Sequence, residues 1–243
     1  MKLLDLTYPS PEENLACEEV LLDWCERGEC GEILRFSQPD QTFAVVGYTE
    51  KVQREMDVAA CRADGIRILR RTSGGGSVLQ GRGCFAYSLF LDMRQRLALG
   101  SVTEANRFIM ETQRDALARL SGRDVQISGY TDLAIDGRKI SGNAQRRKQK
   151  FLLFHGTLLL DFDLSLIARY LQFPSKQPDY RAGRRHEEFV TNLHLPAESV
   201  KVALAEAWSV EETDAEFAVA KLNSEVHALA AEKYSRDEWN FKL

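Results

Sequence analysis

The first third of the chain combines one helical hydrophobic pattern with several short apolar runs. Ser10-Pro11-Glu12-Glu13 has the residues of a capping box with proline at the first helical position, which predicts a helix to about Arg27. Apolar runs bounded by polar or turn residues are typical of strands. Such runs occupy residues 31–36, 42–47, 66–70 and 84–91, and residues 50–63 are predicted to be helical.

The middle and end of the chain continue this mixture. Ser101-Val102-Thr103-Glu104 resembles a second capping box, and its helix should end before Gly122. Asp136-Gly137 predicts a tight hairpin turn between two strands. The other predicted elements are strands at 125–127, 133–135, 139–144 and 151–161, a short helix at 163–172, an ordered or flexible loop at 174–195, and a C-terminal helix opened by a third capping box, Ser209 to Glu212.

This order of elements favours one fold class. Strands and helices are interleaved, yet hairpins are frequent, so we expect an α/β (α+β) fold with a mixed, largely antiparallel sheet flanked by helices rather than a doubly wound parallel sheet. A length of 243 residues fits one large unit whose hydrophobic core is stable without disulfides or a structural metal, and we expect a single domain over residues 1–243.

Composition and charge exclude several classes. A net charge of −4 and a pI near 5.7 argue against a general nucleic-acid binder. The five cysteines show no C-x-x-C pair and no zinc spacing, so neither a disulfide framework nor structural zinc is expected. The start lacks the basic head and apolar run of a signal peptide, and no apolar stretch approaches ~18 residues. A cytoplasmic protein without membrane contact is the expectation.

The strongest local signal is Arg70-Arg71-Thr72-Ser73-Gly74-Gly75-Gly76-Ser77 between two predicted strands. Three consecutive glycines remove every Cβ, so that a phosphate or acyl group can approach the main-chain N–H groups, and the arginines add positive charge. A flexible turn is the simpler interpretation of the glycines alone. The segment is neither a Walker loop nor a dinucleotide fingerprint, because no Gly-Lys-Ser/Thr follows and no helix opens there.

Two further segments contain candidate chemistry. In Gly137–Arg147, Lys139 alternates with Ile140 on a short strand, so its amine would point into a pocket and neutralise charge on a carboxylate and a phosphate. A solvated edge-strand lysine is the common alternative. In Phe154-His155-Gly156-Thr157, the histidine alone is typical of a hydrogen-bonded core residue, and the mid-strand glycine indicates close approach of a ligand or backbone.

Together, the three segments resemble the lipoate–protein ligase A family, within the superfamily of biotin and lipoate protein ligases and octanoyltransferases. The family patterns are R-R-x-S-G-G-G-A-V-x-H, N-D-L…G-K-K-I-x-G-x-A-Q-R-R and H-H-G-T-L-L. Further similarity lies at Asn14–Glu19, Phe36–Pro39, Val46–Tyr48 and the C-terminal Lys233-Tyr234 and Trp239–Phe241, and so extends over nearly the whole chain. The resemblance implies a catalytic domain like those of class II synthetases and biotin or lipoate ligases, without the C-terminal accessory domain of many bacterial ligases.

The resemblance also implies roles for individual residues. Lys139 corresponds to the lysine that contacts the carboxylate of the acid and the adenylate phosphate. The residues implied in substrate or adenylate binding are Arg71, Ser73, Gly74, Gly75, Gly76, Ser77, Asp132, Gly142, Ala144, His155, Gly156 and Thr157. Metal ligands are not identified.

The reaction implied has two steps. Lipoate or octanoate reacts with ATP and Mg²⁺ to give acyl-AMP and pyrophosphate, and a lysine amine of a lipoyl domain then takes the acyl group. The acceptor would be a 2-oxoacid dehydrogenase E2, a glycine cleavage H protein or a similar partner. A separate small accessory subunit is a further possible partner, since some split relatives need one for activation.

Several departures from the family patterns leave alternatives open. Gln80, Thr131 and Phe154 replace a histidine, an asparagine and a histidine. Octanoyltransferases of the superfamily form a thioester on a cysteine near the acyl pocket, yet the segment 128–131 has none, and Cys84 is expected to be a buried structural thiol. A cysteine-dependent transferase, a biotin ligase without its usual G-R-G-R, and a non-catalytic acyl-binding module remain alternatives to the ligase.

A cluster of basic residues stands out on an acidic protein. It is interpreted either as a solvated face or as a docking surface for an acidic lipoyl domain or for phosphate. Its members are Arg138, Arg146, Arg147, Lys148, Lys150, Arg181, Arg184 and Arg185. Tyr180, Arg181 and His186 belong to the loop at 174–195, which we expect to fold over the adenylate.

Overall fold

The computed structural model describes residues 1–174, 176–210 and 219–243, and its centre is a seven-stranded sheet. The strand order is β1-β2-β6-β10-β9-β8-β7. Only β1 and β2 run parallel, and every other neighbouring pair in this sheet is antiparallel. Its strands are β1 Lys2–Asp5, β2 Ile33–Ser37, β6 Cys84–Asp92, β7 Val125–Ser128, β8 Asp132–Ile135, β9 Arg138–Arg147 and β10 Phe151–Leu159.

A second, three-stranded sheet has the order β4-β3-β5, in which β3 pairs with β4 parallel and with β5 antiparallel. Its strands are β3 Phe43–Val46, β4 Arg67–Arg70 and β5 Val78–Gln80. The predicted mixed, largely antiparallel sheet flanked by helices is therefore confirmed. The strand β5 was not predicted, because three residues directly after the glycines are too few for a clear alternation.

Helices cover the faces of both sheets. They are α1 Pro11–Arg27, α2 Val52–Glu55, α3 Val58–Ala63, α4 Val102–Ser121, α5 Ser165–Tyr170, α6 His186–Phe189, α7 Ala197–Ala207, α8 Val219–Leu229 and α9 Asp237–Asn240. Short 3₁₀ turns at Leu97–Leu99 and Asp179–Arg181 and a π-helical turn at Ala230–Tyr234 complete the described elements. Within the described residues, no helix is both long and apolar enough to cross a membrane.

Alternation along the central strands places the two hydrophobic cores on opposite faces of the large sheet. Leu34 and Leu152 point to the core with α4 and α7, whereas their neighbours Ile33 and Leu153 point to the core with α1 and α8. A third core lies between the outer face of the small sheet, α3 and α5. The small sheet therefore packs beside α1, and a space remains between the two sheets.

Most predicted boundaries follow from local chemistry. Ser10 caps α1 with a complete capping box, and Gly28 ends the helix in the left-handed conformation. Asp136 and Gly137 have φ angles of 52° and 69°, which fits a tight hairpin turn. At α4, Ser101 accepts a hydrogen bond from the Glu104 N–H, and the Glu104 carboxylate returns to the Ser101 hydroxyl rather than to its N–H.

One predicted helix differs from the structure, one helix was not predicted, and one prediction lies partly outside the described residues. The single helix at 50–63 is two helices, because Met56 forms a β-bridge with Leu171 and Asp57 starts a new cap. Helix α7, which begins after Pro196, was not predicted. The capping box from Ser209 to Glu212 extends into residues 211–218, outside the described residues, and Ser209 itself has a φ of 49°.

Candidate active site

A cavity of about 570 Å³ lies between the two sheets. The N-terminal half of α1 closes one side, and residues 171–174 and 176–190, which we call the covering segment, close another. Strands β9 and β10 supply one wall, and β3, β5 and the loop before β5 supply the opposite wall. The predicted site residues that line this cavity are Arg71, Gly75, Gly76, Ser77, Asp132, Lys139, Gly142, Ala144, His155, Gly156 and Thr157.

A β-bulge sets the direction of Lys139. Leu133 and Ala134 are consecutive on β8 but pair with Ser141 and Lys139 on β9, so Ile140 is the extra residue. Residues three apart in a regular strand face opposite sides, and the bulge brings Lys139 and Gly142 to the same side. A Cβ on Gly142 would lie 2.8 Å from the Lys139 Nζ, so the amine occupies space that only glycine leaves free.

Lys139 and the covering segment share one carboxylate. The Lys139 Nζ lies 2.8 Å from Asp132 Oδ1, and the Tyr180 hydroxyl donates to Asp132 Oδ2 over 2.8 Å. The main chain joins them again, since Val190 forms a β-bridge with Lys139 and the N–H of the next residue, Thr191, donates to the Lys139 carbonyl. The amine is therefore held at the cavity wall, with one-quarter of its side chain exposed.

The covering segment brings a second cation to the cavity. Arg181 is 4% exposed, and its guanidinium stacks on the rings of Phe173 and Phe189 at 4.9 and 4.7 Å. It donates to the Arg184 carbonyl and contacts His186, and none of the described carboxylates pairs with it. Burial lowers its pKa, and the aromatic stacking retains it in place.

Arg71 shapes the glycine loop, defined as residues 73–77. Its Nη2 donates to the carbonyls of Gly74 and Gly76 at 2.6 and 2.7 Å. Across a trans peptide the N–H points away from the preceding carbonyl, so the N–H groups of Gly75 and Ser77 turn away from Arg71. Neither N–H donates to any described residue, and both residues line the cavity. Burial lowers the pKa of Arg71 to about 10, which leaves it charged at neutral pH.

Close backbone contact fixes the same loop from outside. A Cβ on Gly47 would lie 1.8 Å from the Gly75 carbonyl oxygen, and the Tyr48 N–H donates to the Ser73 carbonyl. Gly75 has a φ of +85°, a conformation that favours glycine. The turn after β3 and the glycine loop are therefore packed backbone to backbone.

A chain of hydrogen bonds connects α1 to the glycine loop. We call it the Glu18 chain, and its members are Glu18, His155, Ser73 and Arg71. The distances are 2.8 Å from Glu18 Oε2 to His155 Nδ1, 2.6 Å from His155 Nε2 to Ser73 Oγ, and 2.9 Å from Ser73 Oγ to Arg71 Nε. The Ser88 hydroxyl donates to the other Glu18 oxygen over 2.6 Å.

The electrostatics of Glu18 follow from these contacts. Burial alone would raise the pKa of its carboxyl, but its contacts with His155 and the Ser88 hydroxyl, together with the nearby Arg35, outweigh burial and hold the pKa below its usual range. Glu18 is therefore an ionised acceptor at neutral pH.

Asn143 holds the start of β8 against the cavity wall. Its amide donates to the Thr131 carbonyl, and its oxygen accepts from the Tyr87 hydroxyl. The Thr131 hydroxyl returns to the Asn143 carbonyl over 2.7 Å. A Cβ on Gly156 would lie 1.7 Å from the Asn143 oxygen, so this mid-strand glycine makes room for the Asn143 side chain.

Eleven of the thirteen predicted site residues line the cavity. Ser73 and Gly74 were predicted site residues and do not line the cavity; Ser73 is 1% exposed behind its wall. Glu18 and Asn143 were not singled out. For Glu18 the sequence contained a signal: it lies three or four residues from Leu15, Leu21 and Leu22, within the apolar stripe of α1.

The cysteines lie outside the cavity, since none of the five lines it. Burial raises the pKa of Cys17 and Cys61 to about 11 and that of Cys84 to about 12. Cys25 and Cys30 lie 3.4 Å apart at the end of α1, and the hydrogen bond from Cys25 lowers the pKa of Cys30. The expected burial of Cys84 is confirmed.

The basic cluster is largely engaged within the protein. Arg138, Arg146 and Arg147 donate to main-chain carbonyls, and Lys148 pairs with Asp23. These four residues therefore stabilise the structure of the protein itself. Whether the cluster docks a lipoyl domain or phosphate stays a prediction.

Comparisons with known proteins identify a family and several relatives. Residues 10–213 match the family described as the lipoyl protein ligase A/B catalytic domain. The chain is 27% identical to an octanoyltransferase LipM of Geobacillus kaustophilus over 99% of its own length and 98% of the relative.

Two solved structures are similar in fold. One is a lipoate-protein ligase A crystallised with ATP, with a TM-score of 0.81, 25% identity, and coverage of 99% and 98% of the two chains. The other is a bi-partite lipoate protein ligase from Thermoplasma acidophilum, studied with its E2 lipoyl domain, with a TM-score of 0.80, 25% identity and coverage of 99% and 95%.

Proposed function

The chain belongs to the lipoyl protein ligase A/B catalytic domain family, and from its site we propose that it is a lipoate–protein ligase. It activates lipoate or octanoate with ATP to the acyl adenylate and transfers the acyl group to a lysine of a lipoyl domain. The observation that supports this most is that the Lys139 amine and a glycine loop line one cavity, and that the Gly75 and Ser77 N–H groups of this loop donate to none of the described residues.

The arrangement suits adenylation because the charge that develops at phosphorus meets donors fixed in advance. When the carboxylate attacks the α-phosphate, negative charge grows on the phosphate oxygens. Lys139, the stacked Arg181 and the N–H groups of Gly75 and Ser77 are among the positive groups at the cavity. Such fixed donors stabilise the transition state without reorganisation.

ATP fits the residues present. The Ser77 hydroxyl is buried at the cavity and has no hydrogen-bond partner among the described residues, so a phosphate oxygen would satisfy it. The same polyphosphate would bring Mg²⁺, which is commonly held by one or two carboxylates plus phosphates. Asp132 is the carboxylate placed to contribute, and the described residues contain no cluster of three or more metal-binding side chains. Bound Mg²⁺ would neutralise phosphate charge.

The second step needs a neutral amine and protection of the adenylate from water. The covering segment closes the cavity with Tyr180 bound to Asp132, and in this proposal the incoming lysine ammonium loses its proton near Lys139. A cation nearby favours that loss. We propose a lipoyl domain as the acceptor, in line with the E2 lipoyl domain of the Thermoplasma relative. Because that relative is bi-partite, the proposal includes a separate accessory subunit as a partner to be tested.

The direct test is pyrophosphate release from ATP by the full chain with lipoate or octanoate. We expect release that requires the acid, and incorporation of the acyl group when a lipoyl domain is added. Release by the chain alone, or only with an added accessory protein, would both agree with the ligase. Acyl transfer without any ATP requirement would contradict it.

An octanoyltransferase is the second candidate, since the LipM relative matches the whole chain. Thioester chemistry needs a cysteine beside the acyl group, and none of the five lines the cavity. Alkylation of the cysteines distinguishes the two functions. If the protein is a ligase, iodoacetamide should react first with Cys30, the half-buried thiol, and leave acyl transfer intact. Loss of activity together with an octanoyl adduct on a cysteine would favour the transferase.

A further inference from the structure

We infer that Glu18 is a positioning residue, which acts through His155 and Ser73 on Arg71 and so sets the donors of the glycine loop. This inference rests on the proposed function, because the donors it sets are those proposed to hold the adenylate phosphate. It gives a role to a residue of α1 that lies within the segment Asn14–Glu19, similar to the family, but to which the sequence motifs assigned none.

The two ends of the Glu18 chain fix the directions of its outer two hydrogen bonds, and the middle one follows for a His155 ring that carries a proton on Nδ1 alone. Glu18 is ionised and accepts only, so His155 Nδ1 must donate to it. In the neutral ring His155 Nε2 is then an acceptor, and the Ser73 hydroxyl must donate to it. This leaves the Ser73 oxygen to accept from Arg71 Nε, which fixes the guanidinium in one orientation.

The far end of the chain is the site. Once Arg71 Nε is tied to Ser73, its Nη2 faces the carbonyls of Gly74 and Gly76. Those two contacts turn the N–H groups of Gly75 and Ser77 away from Arg71, as the trans peptides require. Reversal of the His155 tautomer would leave two acceptors, Nδ1 and the Glu18 carboxylate, facing each other and would break the link between α1 and the loop.

Ser73, His155 and Glu18 resemble the nucleophile, base and orienting carboxylate of a catalytic triad, but the burial of Ser73 argues against covalent chemistry. Ser73 is 1% exposed and does not line the cavity, so an acyl carbon has no access to its oxygen. Its oxygen also already accepts from Arg71. The Glu18 chain therefore acts on the shape of the loop and not on the acyl group.

The first experiment examines the chain alone, independent of the reaction. In the full protein labelled with ¹⁵N in the histidine rings, NMR at neutral pH should show His155 protonated at Nδ1 and bare at Nε2, assigned by its absence from His155→Gln. A His155 protonated at Nε2, alone or with Nδ1, would overturn the inference whatever the protein catalyses.

The second experiment separates positioning from general stability. Glu18→Gln should lower kcat for acid-dependent ATP–pyrophosphate exchange roughly tenfold to hundredfold, as for carboxylates that orient metal-bound histidines, with little change in the KM of the acid. Glu12→Gln is the matched control: its carboxylate is buried on the same helix and paired with Arg67 at 2.5 Å, outside the cavity. It should retain kcat.

Ser88→Ala provides a milder variant if Glu18→Gln does not fold. It removes one of the two donors to Glu18 and should lower kcat severalfold while the protein still unfolds cooperatively. Wild-type kcat in both variants would overturn the inference. Absence of any acid-dependent exchange in the wild-type protein would instead contradict the proposed function and leave the tautomer measurement as the deciding one.

Discussion

At the scale of single residues, the candidate site depends on one amine and on the absence of side chains around it. Lys139 occupies space that Gly142 leaves open, and the N–H groups of Gly75 and Ser77 turn away from Arg71, which binds the preceding carbonyls. The sequence indicated both groups of residues. It did not reveal the partners of Glu18 or Asn143, because these contacts are with residues more than a hundred positions away or across a strand.

Replacement of Lys139 by alanine should abolish adenylation and spare the fold. We expect pyrophosphate release to fall about a hundredfold or more, as when one charge-stabilising donor is removed. The free energy of unfolding should change by no more than about 1 kcal/mol, because the ion pair with Asp132 is partly exposed. Lys148→Ala, which removes a similarly exposed lysine paired with one aspartate, should leave pyrophosphate release unchanged. Equal activity in both variants would contradict the role of Lys139.

A side chain at Gly75 should affect stability and activity together. Gly75→Ala places a Cβ 3.1 Å from the Arg71 Nη2 at a φ of +85°, and we expect a loss of roughly 1–3 kcal/mol of stability with loss of adenylation. Gly28→Ala has comparable backbone strain at a φ of +79° with open space around it. It should lose similar stability in urea unfolding and keep pyrophosphate release, so an active Gly75→Ala would contradict the loop assignment.

At the scale of elements, the bulge in β9 is what the sequence did not reveal. The alternation of Lys139 and Ile140 predicted an inward lysine by a regular strand, whereas the structure achieves it with one extra residue. A bulge depends on pairing with β8, which no local pattern contains. Helix α1 with its capping box and the Asp136-Gly137 turn were predicted well, because the residues that start or end these elements are adjacent in the sequence. Helix α7 lacks a side-chain cap and was missed.

A methyl group at Gly142 provides a test of the bulge. Gly142→Ala should push the flexible end of Lys139 from its position beside Asp132, because the new Cβ would lie 2.8 Å from Nζ. We expect Tm within a few degrees of the wild type and pyrophosphate release reduced about tenfold or more. Gly31→Ala adds a methyl group in open space and should change neither measurement. Normal release by Gly142→Ala would show that the Lys139 position tolerates displacement.

At the scale of the whole molecule, the cavity exists because two sheets meet beside α1. The sequence predicted the mixed sheet but not its division into seven and three strands, because strand β5 is short and the partner of each strand is decided by packing. The Glu18 chain crosses this division: Glu18 belongs to α1, His155 to the large sheet, and Ser73 to the loop of the small sheet. Acid stability should therefore depend on it.

The pH dependence of unfolding tests this link. The Glu18 pKa is lowered in the folded protein, so its stabilising contribution is fully present above its unfolded pKa of about 4.3 and is lost as pH falls through the lower folded value. The free energy of unfolding of the wild type, measured in urea, should fall more steeply below about pH 4.3 than that of Glu18→Gln. Parallel curves for the two proteins would show that folding does not lower the pKa of Glu18.

The contact between Gly47 and Gly75 has a consequence for altering what the protein accepts. Position 47 touches no part of the cavity, yet its missing side chain lets the neighbouring carbonyl oxygen sit where a methyl group would be. Screens that vary only lining residues would overlook it, and libraries that randomise it would yield mostly inactive clones. Redesign toward longer or bulkier acids has more freedom at apolar lining positions such as Leu159 and Ile167, whose neighbours are side chains able to repack.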